Sequence, residues 1–301
     1  MIATRPGLYR EVVVFSGAEP VYQDLTQHHR GQDHRQGHKR QMFAVHDPEA
    51  GISYRAGYST TPPGPAAIRH HHNFEQVRFI IDGEWMYGKG RYGSGWLGFF
   101  GESVFYGPQQ CLDDSAQIVI QYPGPSGAKF ISRAEERKAQ KRMVEEEDVK
   151  FESSLAHFPD GRRQDGSEAL WEYWAGEKIS YMKPRWHDDV WLDTNAFPWK
   201  PSDVPGVSIK RLGYLDDHGP AAALLRLEPG ASTPPGETGS VMMRFIYEGE
   251  AEYAGKHCPA VSSLYYPPDA PYEGIYSPTG ATILSVELQM AGSELPLPYR
   301  V

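Results

Sequence analysis

GPAAIRHHHNFEQVRFIIDGEWMY, residues Gly64–Tyr87, returns 166 positions later as GASTPPGETGSVMMRFIYEGEAEY, residues Gly230–Tyr253. Seven of the 24 positions are identical: Gly64 with Gly230, Arg78-Phe79-Ile80 with Arg244-Phe245-Ile246, Gly83-Glu84 with Gly249-Glu250, and Tyr87 with Tyr253. Composition alone would give about one or two identities, so the pair reads as an internal duplication. The same register runs on without a gap, bringing Gly101 to Pro267 and Tyr106 to Tyr272.

Each copy reads as β-structure. Val77–Ile81 and Met242–Tyr247 are rich in branched and aromatic residues, which fit a pleated, half-buried surface. Each run ends at an acid–glycine pair, Asp82-Gly83 or Glu248-Gly249, and these pairs are predicted to be hairpin turns. The later runs Gln117–Ile120 and Thr282–Val286 would close each sheet into a barrel, which leaves no exposed edge. Between the copies, Ser132-Arg133-Ala134-Glu135 has the capping-box pattern, and the charged stretch Arg133–Glu147 is predicted to be a solvated linker helix. Trp171, Trp174, Trp186, Trp191 and Trp199, interleaved with Pro184 and Pro198, are expected to wrap over a barrel and bury their rings against it.

The totals narrow the function classes. A chain of 301 residues supports two domains with their own cores. The net charge of -9 argues against broad nucleic-acid binding. Two cysteines, Cys111 and Cys258, cannot staple a scaffold, so reduced thiols and a cytoplasmic protein are expected. No apolar run reaches the length of a signal peptide or a membrane span.

The residues of the first copy resemble the cupin superfamily. Gly64, five residues, His70-His71-His72, three residues, Gln76, six residues and Gly83 match the frame of the first cupin motif. Gly95, five residues and Gly101–Tyr106 match the spacing of the second, with most residue types replaced. The resemblance implies an all-β chain of two jelly-roll barrels joined by a partly helical linker. Its expected segments are an arm over 1–40, a first barrel over 41–131, a helical and Trp/Pro-rich linker over 132–206, a second barrel over 207–291 and a tail over 292–301.

Residues two apart on a strand face the same way, so His70 and His72 are expected to point together into the barrel and His71 away from it. By resemblance, His70, His72 and Gln76 are the candidate metal ligands, and Tyr106 holds the fourth position. Glu75 would substitute for Gln76 if a bulge turned it inward. The metal would be a divalent transition ion, iron first, then Mn, Ni, Cu or Zn. In the second copy Gly236, Thr238 and Met242 stand at the ligand positions, so that barrel is expected to be structural or to bind something without metal.

Arg78 and Arg244 face the same way as the ligands by parity. A buried guanidinium must be paired. Either an acid pairs with it in both copies, or Arg78 anchors an anionic or carbonyl substrate. Tyr87 and Gln109 are candidate polar groups of the same pocket. The stretch His28–His38 is read as a solvated loop, or a lid over a barrel mouth.

The function expected is a metal-dependent, dioxygenase-like oxidoreductase of small-molecule metabolism, with Tyr106 and Arg78 as its catalytic groups. Its partner would be an anionic or aromatic small molecule, with no nucleic acid and no membrane, and a homodimer is expected. The alternatives are a non-catalytic ligand-binding or structural protein, and an isomerase or decarboxylase with or without metal.

Overall fold

The computed structural model describes residues 11–18, 22–24, 39–47, 52–128, 130–131, 133–152, 155–217 and 219–288. The His28–His38 stretch, the tail 292–301 and Ser132 lie outside them. Two compact units emerge: one spans Tyr22–Trp191, and the other combines Met1–Val21 with Leu192–Val301. Most of the expected linker therefore belongs to the first unit. From the expected arm, the strand Val13–Phe15 pairs antiparallel with Ser262–Tyr266 in the second.

In the first unit, one antiparallel sheet runs in the order Trp96–Phe100, Glu75–Asp82, Ser115–Tyr122, Ile52–Thr61, Lys39–Asp47, Tyr22–Asp24. A second sheet has the order Gly64–Ala67, Gln109–Cys111, Trp85–Tyr87, Gly90–Tyr92. A core of Ile80, Trp85, Tyr87, Phe100, Tyr106 and Cys111 brings side chains of both sheets together. In the second unit the main sheet runs Val13–Phe15, Ser262–Tyr266, Val241–Tyr253, Ala281–Leu288, Ala221–Leu227, Val207–Tyr214, Lys200–Pro201. Its strands Val241–Tyr253, Ser262–Tyr266 and Ala281–Leu288 begin 166 residues after Glu75, Trp96 and Ser115. The register that aligns the two sequences thus also aligns their central strands.

The acid–glycine pairs are corners, which corrects the hairpin expectation. Glu75–Asp82 does not pair with the following strand, Trp85–Tyr87, because that strand joins the other sheet. Val241–Tyr253 passes Gly249 without turning back and pairs beyond it with Lys256–Pro259. Both corners carry a register shift just before the glycine, opposite Ala116/Gln117 in one unit and between Ile246 and Glu248 in the other. A bulge of this kind bends a strand sharply enough to change sheets. Gly83 (φ +80°) and Gly249 (φ +74°) sit at the bends, and the space a Cβ would need is filled by backbone in both cases.

Helix α1 spans Arg133–Glu147 as expected, but it is not a solvated spacer. Ala139 and Met143 are buried with Ala169 and Leu170 of a second helix, α2 (Gly166–Ala175), over a three-stranded sheet. The spacing of Ala139 and Met143 puts both on one face, and that one-turn stripe is enough to dock a helix whose remaining surface is charged. Of the tryptophans, Trp191 lies flat on Tyr92, with ring centroids 4.1 Å apart, and touches Tyr87 and Phe100. Trp174 and Trp186 are exposed instead, and Trp171 and Trp174 belong to α2. Cys111 and Cys258 are buried free thiols, and burial pushes Cys111 up to about 12, which makes it a poor nucleophile.

Candidate functional site

Arg78 projects from the middle of Glu75–Asp82, on the same face as Gln76 and Ile80. Its guanidinium is fully enclosed and forks between four neutral oxygens. Nη1 donates to the Tyr87 hydroxyl and to Gln109 Oε1, each at 2.8 Å. Nη2 donates to Gln76 Oε1 at 3.1 Å and to the Tyr106 hydroxyl at 3.2 Å. Among the described residues, the acid partner expected from sequence is not there. Asp189 is near enough to favour the charge, but its carboxylate accepts from Trp191 Nε1 at 2.5 Å and forms no ion pair with Arg78. Burial works against the cation, and the oxygens of Tyr87 and Tyr106 outweigh it, so the pKa rises above the ordinary guanidinium value. Nε has no hydrogen-bond partner. Among the described residues, the enclosed positive charge is therefore met directly by dipoles, with the Asp189 carboxylate acting only from a distance.

The three histidines lie in the segment between Gly64–Ala67 and Glu75–Asp82, not on a regular strand. A short ladder still holds them: His70 and Tyr106 exchange both backbone bonds at 3.1 and 2.9 Å, and Ser103 N–H donates to His72 O at 2.9 Å. The rings of His70 and His72 lie 4.7 Å apart, and the Tyr106 ring is 4.7 Å from the first and 5.9 Å from the second. His71 sits elsewhere, against Phe105 and Tyr181, with Nε2 3.5 Å from Glu168 Oε2. Burial lowers its pKa and Glu168 partly restores it.

His70 Nδ1 is 2.7 Å from the Ile68 carbonyl, which can only accept, so Nδ1 carries the proton and Nε2 presents the lone pair. The Tyr106 hydroxyl accepts from Gln76 Nε2 at 2.8 Å. Burial drives its pKa up to about 12, against the pull of Arg78, so the phenol stays protonated at neutral pH.

Sequence reasoning overlooked the contribution of α2. Asp165 caps that helix, its Oδ1 accepting from Ser167 N–H at 2.9 Å and Glu168 N–H at 3.1 Å, while Oδ2 lies 3.8 Å from His72 Nδ1. The signal was present as Asp165-Gly166-Ser167-Glu168, an N-cap followed by an acid three residues on. Asp165→Ala is expected to cost about 1–2 kcal/mol of stability. Asp165→Asn, which keeps the capping oxygen, should cost clearly less. Chemical denaturation of both variants checks this, and equal losses would mean that charge rather than capping is what Asp165 supplies.

Residues 187–291 match the family model of the ChrR cupin-like domain. Among solved structures, a Nostoc punctiforme protein provisionally named a dioxygenase resembles the chain with a TM-score of 0.60 at 14% identity, over 98% of this chain and 88% of its own. The fold is that of a bicupin. The oxalate decarboxylase of Bacillus subtilis is similar too, with a TM-score of 0.55 at 14% identity over 93% of this chain and 78% of that one. Another structure of that enzyme, concerned with its Mn(II) centres, has a TM-score of 0.53 at 13% identity, again over 93% and 78%. No curated protein sequence matches. Among the described residues, no helix is long and apolar enough to cross a membrane.

The four motif positions divide when tested for a metal. His70 and His72 suit one: two imidazoles side by side, with His70 oriented through a backbone carbonyl as metal-bound histidines are. Gln76 does not, because its carbonyl already accepts from Arg78 and from Gln121 Nε2 at 3.1 Å. Tyr106 ligates only as phenolate, and burial holds it as phenol. Among the described residues no group of three or more His, Cys, Asp or Glu side chains is placed to hold a metal ion.

Proposed function

We propose that the N-terminal barrel of this bicupin is the pocket of an enzyme acting on a small substrate that carries a carboxylate or enolate. Arg78 is its anchor, and Tyr106 and His70 are its proton-handling groups. The observation that carries this reading is the enclosed guanidinium with only neutral partners. A substrate oxyanion accepts from the same fork in bidentate geometry and supplies the missing negative charge, exchanging a neutral acceptor for a charged one. The Tyr106 phenol donates to an oxygen on which charge develops. The lone pair of His70 Nε2, on a ring 4.7 Å from that of Tyr106, takes a proton from the same substrate. Proton transfer of this kind serves isomerisation or decarboxylation, and it needs neither Gln76 nor Tyr106 as a ligand.

A second reading, the metal-dependent and dioxygenase-like one, is favoured by the adjacent imidazoles. In it His70 and His72 hold a divalent ion, iron before Mn, Ni, Cu or Zn, that supplies a Lewis acid beside the Arg78-bound substrate. The neighbours named as a dioxygenase and as an oxalate decarboxylase with Mn(II) centres lend support to it.

Elemental analysis of untagged protein, beside His70→Ala/His72→Ala, separates the two. Under the first reading the protein binds acetate and oxalate equally well before and after chelation, and carries no stoichiometric transition metal. Near one metal per chain, lost in the double variant together with oxalate binding, would establish the second. Failure to bind either anion in both states would overturn both.

A further inference from the structure

Arg244 stands 166 residues after Arg78 and faces the interior of the second unit, yet its surroundings differ. Met242 and Ile246, which share its face of the strand, belong to the apolar core with Leu264, Tyr266, Tyr272 and Ile275. The guanidinium is 0% exposed, and its Cζ lies 5.4 Å from the Tyr266 ring centre and 5.5 Å from that of Tyr272. None of Nε, Nη1 and Nη2 has a hydrogen-bond partner.

The reason is legible residue by residue. Both terminal nitrogens of Arg78 are satisfied, by Gln76, Gln109, Tyr87 and Tyr106. At the same offset the second unit has Met242, Ile275, Tyr253 and Tyr272, so both amide acceptors have become apolar. The tyrosines that remain do not replace them. Burial raises the Tyr266 pKa, and the adjacent guanidinium offsets part of that rise through charge and through a contact with the hydroxyl that falls short of a well-formed hydrogen bond. The Tyr253 hydroxyl accepts from Glu273 N–H at 3.3 Å. Glu287, on the neighbouring strand, accepts at 3.0 Å from both Thr238 and Ser240 and makes no ion pair with Arg244.

We propose that the C-terminal barrel contains a second anion site, in which Arg244 binds a small carboxylate. An enclosed cation without one well-formed hydrogen bond is among the most unfavourable groups a core can hold, and a bidentate carboxylate meets both its charge and its fork. The Tyr266 hydroxyl offers one further donor to the same anion. The apolar surroundings, Met242, Ile246, Leu264 and Ile275, favour a ligand with an apolar body over a strongly hydrated ion such as sulfate. The site needs no metal. It is also independent of the Arg78 pocket, which lies in the other barrel with its own polar partners.

Calorimetric titration of the full chain with sodium acetate and sodium benzoate, against sodium chloride at equal ionic strength, tests this in Arg78→Met, Arg244→Met and the double variant. Arg78→Met is expected to retain one carboxylate site, and adding Arg244→Met to weaken it by at least about thirtyfold. Arg244→Met alone should keep the Arg78 site and, without ligand, melt no lower than the wild type, because an unpaired buried charge has been replaced by an apolar chain of similar length. No carboxylate binding in Arg78→Met would overturn the second site and leave the Arg78 pocket standing, with ordered water as the solvent of Arg244. Binding in Arg78→Met that is unchanged in the double variant would place the anion elsewhere. An unfolded Arg244→Met would make the guanidinium structural.

Discussion

Arg78→Met is expected to reduce carboxylate binding at the N-terminal barrel by about thirtyfold to several thousandfold, because removing one partner of an enclosed charge pair costs about 2–5 kcal/mol. Thermal stability should change far less. Methionine leaves the Tyr87 hydroxyl and Gln109 Oε1 without their donor, which costs about 1–3 kcal/mol for each orphaned acceptor. It also removes a buried charge that has no carboxylate partner, which works the other way. Gln76 keeps its bonds to Tyr106 and Gln121. Arg78→Lys should bind nearly as poorly, since one ammonium cannot span the two pairs of oxygens that Nη1 and Nη2 reach separately. Calorimetry with acetate and oxalate checks this in the Arg244→Met background, where a carboxylate in the C-terminal barrel does not mask the loss, with a melting curve on the same samples. Undiminished binding in Arg78→Met would remove the anchor from the proposed function.

Gly249→Ala should be among the most damaging substitutions in the C-terminal barrel, costing about 3 kcal/mol or more through left-handed strain plus a backbone clash. A Cβ there would lie 2.1 Å from Gly280 O and 3.0 Å from Ala281 Cα. Neither atom can move without opening the ladder between Val241–Tyr253 and Ala281–Leu288. Gly255 is the control. Its φ of +73° is almost that of Gly249, +74°, but nothing lies within 4 Å of its Cβ position. Gly255→Ala should cost only about 1 kcal/mol, the conformational part alone. Urea denaturation of the two variants separates strain from close approach. Equal losses would mean that the corner is looser than the backbone distances state.

The duplication signal made the strands legible. Val77–Ile81 and Met242–Tyr247 lie within Glu75–Asp82 and Val241–Tyr253, and the later runs lie within Ser115–Tyr122 and Ala281–Leu288. The turns misled, because an acid–glycine pair specifies a bend and a positive φ without specifying which sheet receives the chain afterwards. The linker helix was legible as a helix, and its docking was not. Two apolar residues one turn apart in a charged stretch, Ala139 and Met143, look like chance until α2 is placed over them.

At the site, strand parity brought Gln76 and Arg78 onto one face, and motif spacing put His70, His72 and Tyr106 beside them. Tyr87 and Gln109, read only as polar pocket groups, turn out to be the acceptors of Arg78. The pairing of that arginine could not be read from the chain. A carboxylate was expected because buried cations usually have one, and four neutral oxygens from three separate strands and a bridge supply its place.

The sequence by itself determined two similar β-structures, the positions of their central strands, and a histidine-rich first copy beside a second copy without ligand residues. Those features are local: periodicity, turn chemistry and residue type act over a few neighbours and survive without coordinates. Only the tertiary structure decided that Gln76 is occupied by a guanidinium, that Asp165 and Glu168 reach His72 and His71 from a helix some 90 residues on, and that Arg244 has no partner where Arg78 has four. Each depends on which side chains long-range pairing brings within about 4 Å of one another, and that distance is a property of the packed barrel rather than of the chain.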